Sequence, residues 1–195
     1  MPQLDEASGL TAFNRVVSDD QTKLINGPIG GCETSASSGY LQQEAQVFEL
    51  AMAQGQTFAF ASGDSGSEGG CVEEPASSPF AVAVGGTTLS TTGGATWTGE
   101  TAWFGSGGGP SSLQPMPSWQ QNVGQNAGHS TRGVPDPAYD GNPNTGALVC
   151  EGGSTFVQAG TGLSAPLFVG MWARVLAADA IFADGVDGND GCAAN

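Results

Sequence analysis

The sequence predicts an α/β domain with a mainly parallel sheet. Segments with helical apolar spacing alternate along the chain with short apolar runs of strand type. Those strand runs end in glycine-rich loops, and 195 residues suit one compact domain better than two.

Each element follows from its pattern. Leu10, Phe13, Val16 and Val17 repeat at helical spacing, with Ser8 as the expected N-cap. Lys23 to Ile25 reads as a short buried strand running into the turn-forming segment Asn26 to Glu33. Leu41, Ala45, Phe48 and Met52 recur every three or four residues, which predicts a second helix over Leu41 to Gln54 that stops at Gly55. Thr57 to Ala61 is a strand leading into Ser62-Gly63-Asp64-Ser65-Gly66, and Phe80 to Val84 is another, closed by Gly85-Gly86. The polar stretch carrying Trp97 and Trp103 predicts a hairpin or surface excursion. Ala147 to Cys150 and Thr155 to Gln158 pair around Gly152-Gly153, and a helix covers Ser164 to Ala178. Open α/β sheets place functional groups beyond the carboxyl ends of their strands, so the loops at Gly30, Asp64 and Gly160 are the candidate site.

Composition narrows the partners. Four Lys and Arg against 19 Asp and Glu give a formal net charge of -15, which repels phosphate backbones and anionic lipid, so neither nucleic acid nor a membrane is expected. No apolar run is expected to reach the roughly 18 residues of a spanning helix, and Met1 to Glu6 lacks the features of a signal peptide. Cys32, Cys71, Cys150 and Cys192 are too far apart for a zinc ribbon, which leaves disulfides or buried thiols. The acidic excess also predicts greater stability in mild acid than at neutral pH, because self-repulsion falls as carboxylates are neutralised.

Six stretches in order resemble one family: Ile29-Gly30-Gly31-Cys32-Glu33; Ala61-Ser62-Gly63-Asp64-Ser65-Gly66; Pro75-Ala76-Ser77-Ser78-Pro79 leading to Ala83-Val84-Gly85-Gly86-Thr87-Thr88; Gly107-Gly108-Gly109 with Pro117-Ser118-Trp119-Gln120; Val134-Pro135-Asp136; and Gly160-Thr161-Gly162-Leu163-Ser164-Ala165-Pro166. Together, over about Leu10 to Arg174, they resemble the sedolisins, the serine-carboxyl peptidases. The resemblance implies a single domain, residues 1–195, with a subtilisin-like three-layer fold, a mainly parallel sheet flanked by helices. It also implies an exported, monomeric hydrolase that cleaves proteins or peptides at acidic pH. Subtilisin-like enzymes resemble the same layout but place Asn where Asp64 stands and need a catalytic His; the lone His129 reads as a solvated loop residue.

By that resemblance Asp64 supplies the oxyanion contact. It must be protonated to do so, since an ionised carboxylate only accepts hydrogen bonds whereas a neutral acid can donate one to a developing oxyanion. On its residues alone, Asp64 has a second reading, an ordinary turn aspartate after a strand. Ile29, Gly30, Gly31, Ser62 and Gly63 are implied to bind substrate, and Cys32 and Cys71 to form a disulfide beside the cleft. Such a bridge closes a loop of about 40 residues and contributes about 3 to 4 kcal/mol on the chain-entropy model.

Three positions depart from the pattern. Gly162 stands where the family's nucleophilic Ser belongs, and loss of such a serine costs about 10⁶ in kcat. Ser164 lies two residues on, a rotation of about 200° around a helix, and is not expected to replace it. The family's Glu/Asp pair is not found: Leu4-Asp5 resembles the end of that motif, but Met1 occupies the Glu position, and Asp5 reads as solvated. Asp184 and the carbonyl of Gly185 resemble the first half of a calcium site, in an acidic tail over residues 179–195, yet calcium wants six to eight oxygens and only half a site is expected. The chain is therefore expected to be inactive as it stands, the alternative being a non-catalytic pseudopeptidase that binds peptides.

Overall fold

The computed structural model describes residues 5–67, 71–94, 96–123 and 128–184. Helix α1 (Glu6–Asp19) begins earlier than predicted because Asp5, not Ser8, caps it. The Asp5 carboxylate accepts the Ser8 N–H at 2.8 Å, so Ser8 receives the cap. Strand β1 (Leu24–Gly27) is half-buried rather than buried, since it lies at the end of the described sheet. A two-residue strand β2 (Gly31–Cys32) and a 3₁₀ turn (Glu33–Ser35) follow, then α2 (Ser38–Ala53) with Ser37 as its cap. Gly55, at φ +75°, ends α2 as its position implies.

The remaining elements are β3 (Thr57–Ala61), β4 (Glu73–Glu74), β5 (Val82–Thr92), β6 (Thr96–Ala102), β7 (Gly109–Pro115), β8 (Thr131–Val134), β9 (Ala138–Asp140), β10 (Ala147–Glu151), β11 (Ser154–Gln158) and α3 (Thr161–Asp184). Strands β1, β3 and β5 run parallel, β9 joins β5 in parallel, and β6 returns along the far half of β5 as the expected hairpin. The β10–β11 hairpin turns on Gly152 and Gly153, both at positive φ.

Strand alternation builds three layers. Phe58 and Phe60 of β3 point to one face, where they meet Phe13 of α1 and Phe48 of α2 with ring centroids 4.8 to 6.0 Å apart. Ala59 between them points to the other face and packs with Val84, Ala165 and Phe168 under α3. The small Ala59 is what lets α3 lie close to the sheet.

Two expectations are corrected here. Strand β5 does not close at Gly85-Gly86 but runs through them to Thr92. Those glycines serve close approach rather than a turn: a Cβ on Gly85 would lie 2.5 Å from the Pro135 ring, and one on Gly86 2.6 Å from Trp103. Residues Thr161–Ala178 of α3 are in fact long and apolar enough to cross a membrane by length and composition; in the structure this helix packs on β1, β3, β5 and β9.

Candidate functional site

The candidate loops converge. Strand β3 ends at Ala61 and its loop delivers Asp64 to the start of α3. There the Asp64 Oδ1 accepts the Thr161 backbone N–H at 2.7 Å and the Thr161 hydroxyl at 3.0 Å. The same hydroxyl oxygen accepts the Gly63 N–H at 3.0 Å. Thr161 is fully buried while Asp64 is exposed, so this three-way junction ties the two loops together from the buried side and leaves the Asp64 carboxylate at the surface. Gly160 stands at φ +86°, and a side chain there would sit 2.6 Å from the Asp64 Oδ2. Only glycine both adopts the left-handed turn and leaves that oxygen its space.

Gly162 follows in the first turn of α3, partly exposed, across from the segment before β2. A Cβ at Gly162 would meet Pro28 at 3.7 Å, ordinary van der Waals contact. Its backbone N–H has no acceptor among the described residues, as is usual for the first turn of a helix. Ser164 is committed elsewhere: fully buried, its hydroxyl lies 3.0 Å from the Tyr139 and Asp140 carbonyl oxygens and 3.4 Å from that of Gly160. The helical rotation that turns it from the cleft also gives it those acceptors.

The Ile29–Gly31 segment follows Pro28, the residue nearest to a Cβ at Gly162. Gly31 pairs with Glu74, but the backbones of Ile29 and Gly30 pair with no strand among the described residues, and all three residues are exposed. Ser62 and Gly63 direct their hydrogen bonds within the protein. The Ser62 hydroxyl donates to the Gly107 carbonyl at 2.9 Å, and the Gly63 carbonyl accepts the Gly107 N–H at 2.7 Å. Cys32 and Cys71 are joined by a disulfide, with Cα atoms 5.6 Å apart, beside β2 and β4.

Sequence reasoning missed the carboxylates of β4. The Glu73 side chain lies against Gly30 and Gly63 at once; a Cβ on Gly63 would come within 2.6 Å of its Oε1. Burial, and then the charge of Asp64, holds the Glu73 carboxyl above the usual carboxylate range. The available signal was an acidic pair set between Cys71 and the Pro75-Ala76-Ser77-Ser78-Pro79 motif, in a chain with so few cations. His129 is exposed and lines a separate cavity of about 560 Å³ with Trp119 and Asp136. Asp5 is exposed at its cap. Asp184 is the last residue of α3, Gly185 and Cys192 lie outside the described residues, and no group of metal-ligating side chains assembles among the described residues.

No family model matches the chain. Individual relatives do. Sedolisin of Pseudomonas sp. (strain 101) is 42% identical, across 88% of this chain and 33% of its own length. Xanthomonalisin of Xanthomonas sp. (strain T-22) is 40% identical, across 86% of this chain and 25% of its own. The solved structure of Pseudomonas sedolisin, a serine-carboxyl proteinase complexed with two molecules of pseudo-iodotyrostatin, superposes with a TM-score of 0.82 at 38% identity, covering 91% of this chain and 54% of that one. The chain belongs to the sedolisin family. Its layers are those of the subtilisin-like fold. The chain thus spans a third or less of these two sedolisin-family relatives and about half of the solved sedolisin domain.

Proposed function

We propose that this chain holds an extended peptide in the cleft between the Ile29–Gly31 edge and the Gly160–Gly162 turn, on a serine-carboxyl peptidase scaffold, and that as it stands it does not cleave the peptide. The observation that carries this is the junction of Asp64, Thr161 and Gly63 around a turn whose next residue has no side chain. The parts that would bind and polarise a carbonyl are in place. The unpaired Ile29–Gly30 backbone can receive a strand. The Gly162 N–H and the Asp64 carboxyl, in its neutral form, can donate to a carbonyl oxygen, with Oδ1 already occupied as acceptor and Oδ2 the oxygen left to carry the proton. The attacking group is missing, and the Ser164 hydroxyl is locked onto three carbonyls. The disulfide beside the cleft favours an exported protein in an oxidising compartment.

The test is peptide affinity by calorimetry at pH 4 and pH 7, alongside fluorogenic peptide hydrolysis in acid. Binding without turnover is expected. Acid proteolysis by the purified chain that disappears in Asp64→Asn overturns the inactivity, and no binding at either pH overturns the cleft. Gly162→Ser should be accommodated without loss of stability, since its Cβ finds only the 3.7 Å contact with Pro28.

A further inference from the structure

The cavity of about 560 Å³ beside β7, β8 and the 3₁₀ turn Ser118–Gln120 is lined by none of the cleft residues. Asp136 lines it but is already committed. The fully buried Arg132 donates to its two oxygens at 2.7 and 2.6 Å. The same carboxylate accepts the Gln120 amide at 3.1 Å and the Ala83 N–H at 2.8 Å, so its charge is matched and its lone pairs are taken. The Gln120 carbonyl oxygen accepts the Gly133 N–H at 2.9 Å. Among the described lining residues, no carboxylate or amide oxygen of a side chain is left to accept from a ligand. Donors are left over. The Trp119 indole N–H, the Thr131 hydroxyl and the His129 imidazole all line the cavity and make no hydrogen bond to the protein among the described residues. Trp119 is half exposed, yet its ring is held in place by the Arg132 guanidinium, 5.0 Å from the ring centroid. Pro110, Val123 and Pro135 supply apolar wall around it.

Apolar rings with spare donors, beside acceptors already in use, suit a ligand that brings apolar surface and acceptors but no donors of its own. A proline-rich segment is such a ligand, because each proline presents a ring and a carbonyl and lacks an N–H. Its polyproline II conformation exists before binding, so little ordering entropy opposes its docking on an aromatic surface. We propose that the cavity beside Trp119 binds a proline-rich segment of another polypeptide. One proline ring stacks on the open face of the Trp119 indole, and neighbouring carbonyls accept from the Trp119 N–H and the Thr131 hydroxyl. Sugars fit less well, since their hydroxyls need acceptors as well as donors. A run of prolines carries no side-chain charge, so the net charge of -15 does not oppose its approach. The site is independent of the peptide cleft proposed above.

The experiment titrates the chain with capped hexaproline and capped hexasarcosine by calorimetry. Sarcosine keeps the carbonyls and, like proline, has no N–H, but it lacks the ring. Hexaproline should bind at least about tenfold more tightly, and Trp119→Ala should remove that advantage. Trp119→Phe keeps a ring and removes the donor; it should weaken hexaproline about fivefold, the worth of one hydrogen bond. Val123→Asp sets a free carboxylate among the donors and should also weaken it. Thermal melts establish that each variant is folded, and Val123→Asp, at an exposed position, decides the matter where Trp119→Ala does not fold. Equal binding of the two peptides, or no binding of hexaproline, overturns the proposal. So does hexaproline binding that survives in the folded variants, which places the peptide elsewhere, the cleft included. Displacement of hexaproline by maltose gives the cavity to sugars, and self-association of the chain that Trp119→Ala abolishes gives it to a second copy; either result overturns the assignment. None of these outcomes bears on the cleft between Ile29–Gly31 and Gly160–Gly162.

Discussion

Replacing Glu74 by Gln should flatten the loss of stability between mild acid and neutral pH. Glu74 is only 6% exposed, its Oε1 has no partner, and its other oxygen takes the Ser77 hydroxyl. Burial, with a smaller contribution from the charge of Glu33, raises its pKa from 4.5 to about 7, against the opposing Ser77 hydrogen bond. Tyr40, pushed to about 12 by burial and then by the charges of Glu74 and Glu6, belongs to the same cation-free cluster. In the unfolded chain Glu74 ionises near its ordinary value, so folding takes up a proton throughout the interval between. The stabilisation is therefore whole below about pH 4.5 and is lost as pH rises through about 7. At about 1.4 kcal/mol for each pH unit, the loss is on the order of 3 kcal/mol. Glutamine keeps the shape and never ionises. Near pH 4.5 the variant should match the parent within about 1 kcal/mol, and at pH 8 it should exceed it by about 3 kcal/mol, or roughly 6 to 12 °C in melting temperature. Melts of both proteins from pH 4 to 8 read this directly. The net charge of -15 adds a pH dependence common to the two, so only the difference between the curves is diagnostic. Parallel curves would refute the reasoning.

Two further predictions concern the frame around the site. Phe48→Ala empties the centre of the four-ring cluster, where Phe48 is fully buried and 4.8 Å from the Phe58 centroid; urea unfolding should show a loss of about 3 to 5 kcal/mol. Gly160→Ala forces a Cβ onto a left-handed residue and toward Asp64; calorimetry should find at least about 1 to 2 kcal/mol lost, and peptide affinity should fall as the Asp64 to Thr161 hydrogen bonds are displaced.

What the sequence disclosed depended on the range of the interactions involved. Helix α2, β3 and the β10–β11 hairpin rest on local periodicity and on Gly55, Gly152 and Gly153, and all could be read directly. Strands β7 and β8 could not, because β7 (Gly109–Pro115) has no alternating pattern and is held by distant groups. Buried Glu33, nearly eighty residues away, accepts the Ser111 hydroxyl at 2.6 Å and the Ser112 N–H at 2.7 Å. Gly85 and Gly86 misled for the same reason: their smallness answers to Pro135 and Trp103, which no local pattern reveals. At the site, Asp64 and Gly162 stood out through motif resemblance. Glu73 did not, since its significance comes from facing two glycines brought together only by the fold.

On the reading proposed above, the arrangement around Gly162 explains how a peptide-binding cleft can persist without a nucleophile. Every hydrogen bond that shapes the turn belongs to a neighbour: the Thr161 hydroxyl links Gly63 to Asp64, Ser164 ties the helix start to the end of β9, and Gly160 makes room for the carboxylate. None uses a side chain at position 162. Removing a hydroxyl there exposes no buried partner and breaks no network, so its cost to folding is within the few tenths of a kcal/mol typical of a surface change, while its cost to peptide cleavage is on the order of 10⁶ in kcat. Stability and binding therefore place no constraint on residue 162, and only chemistry does. A chain that keeps Gly160, Thr161 and Asp64 while lacking the serine has retained the residues that the fold itself requires.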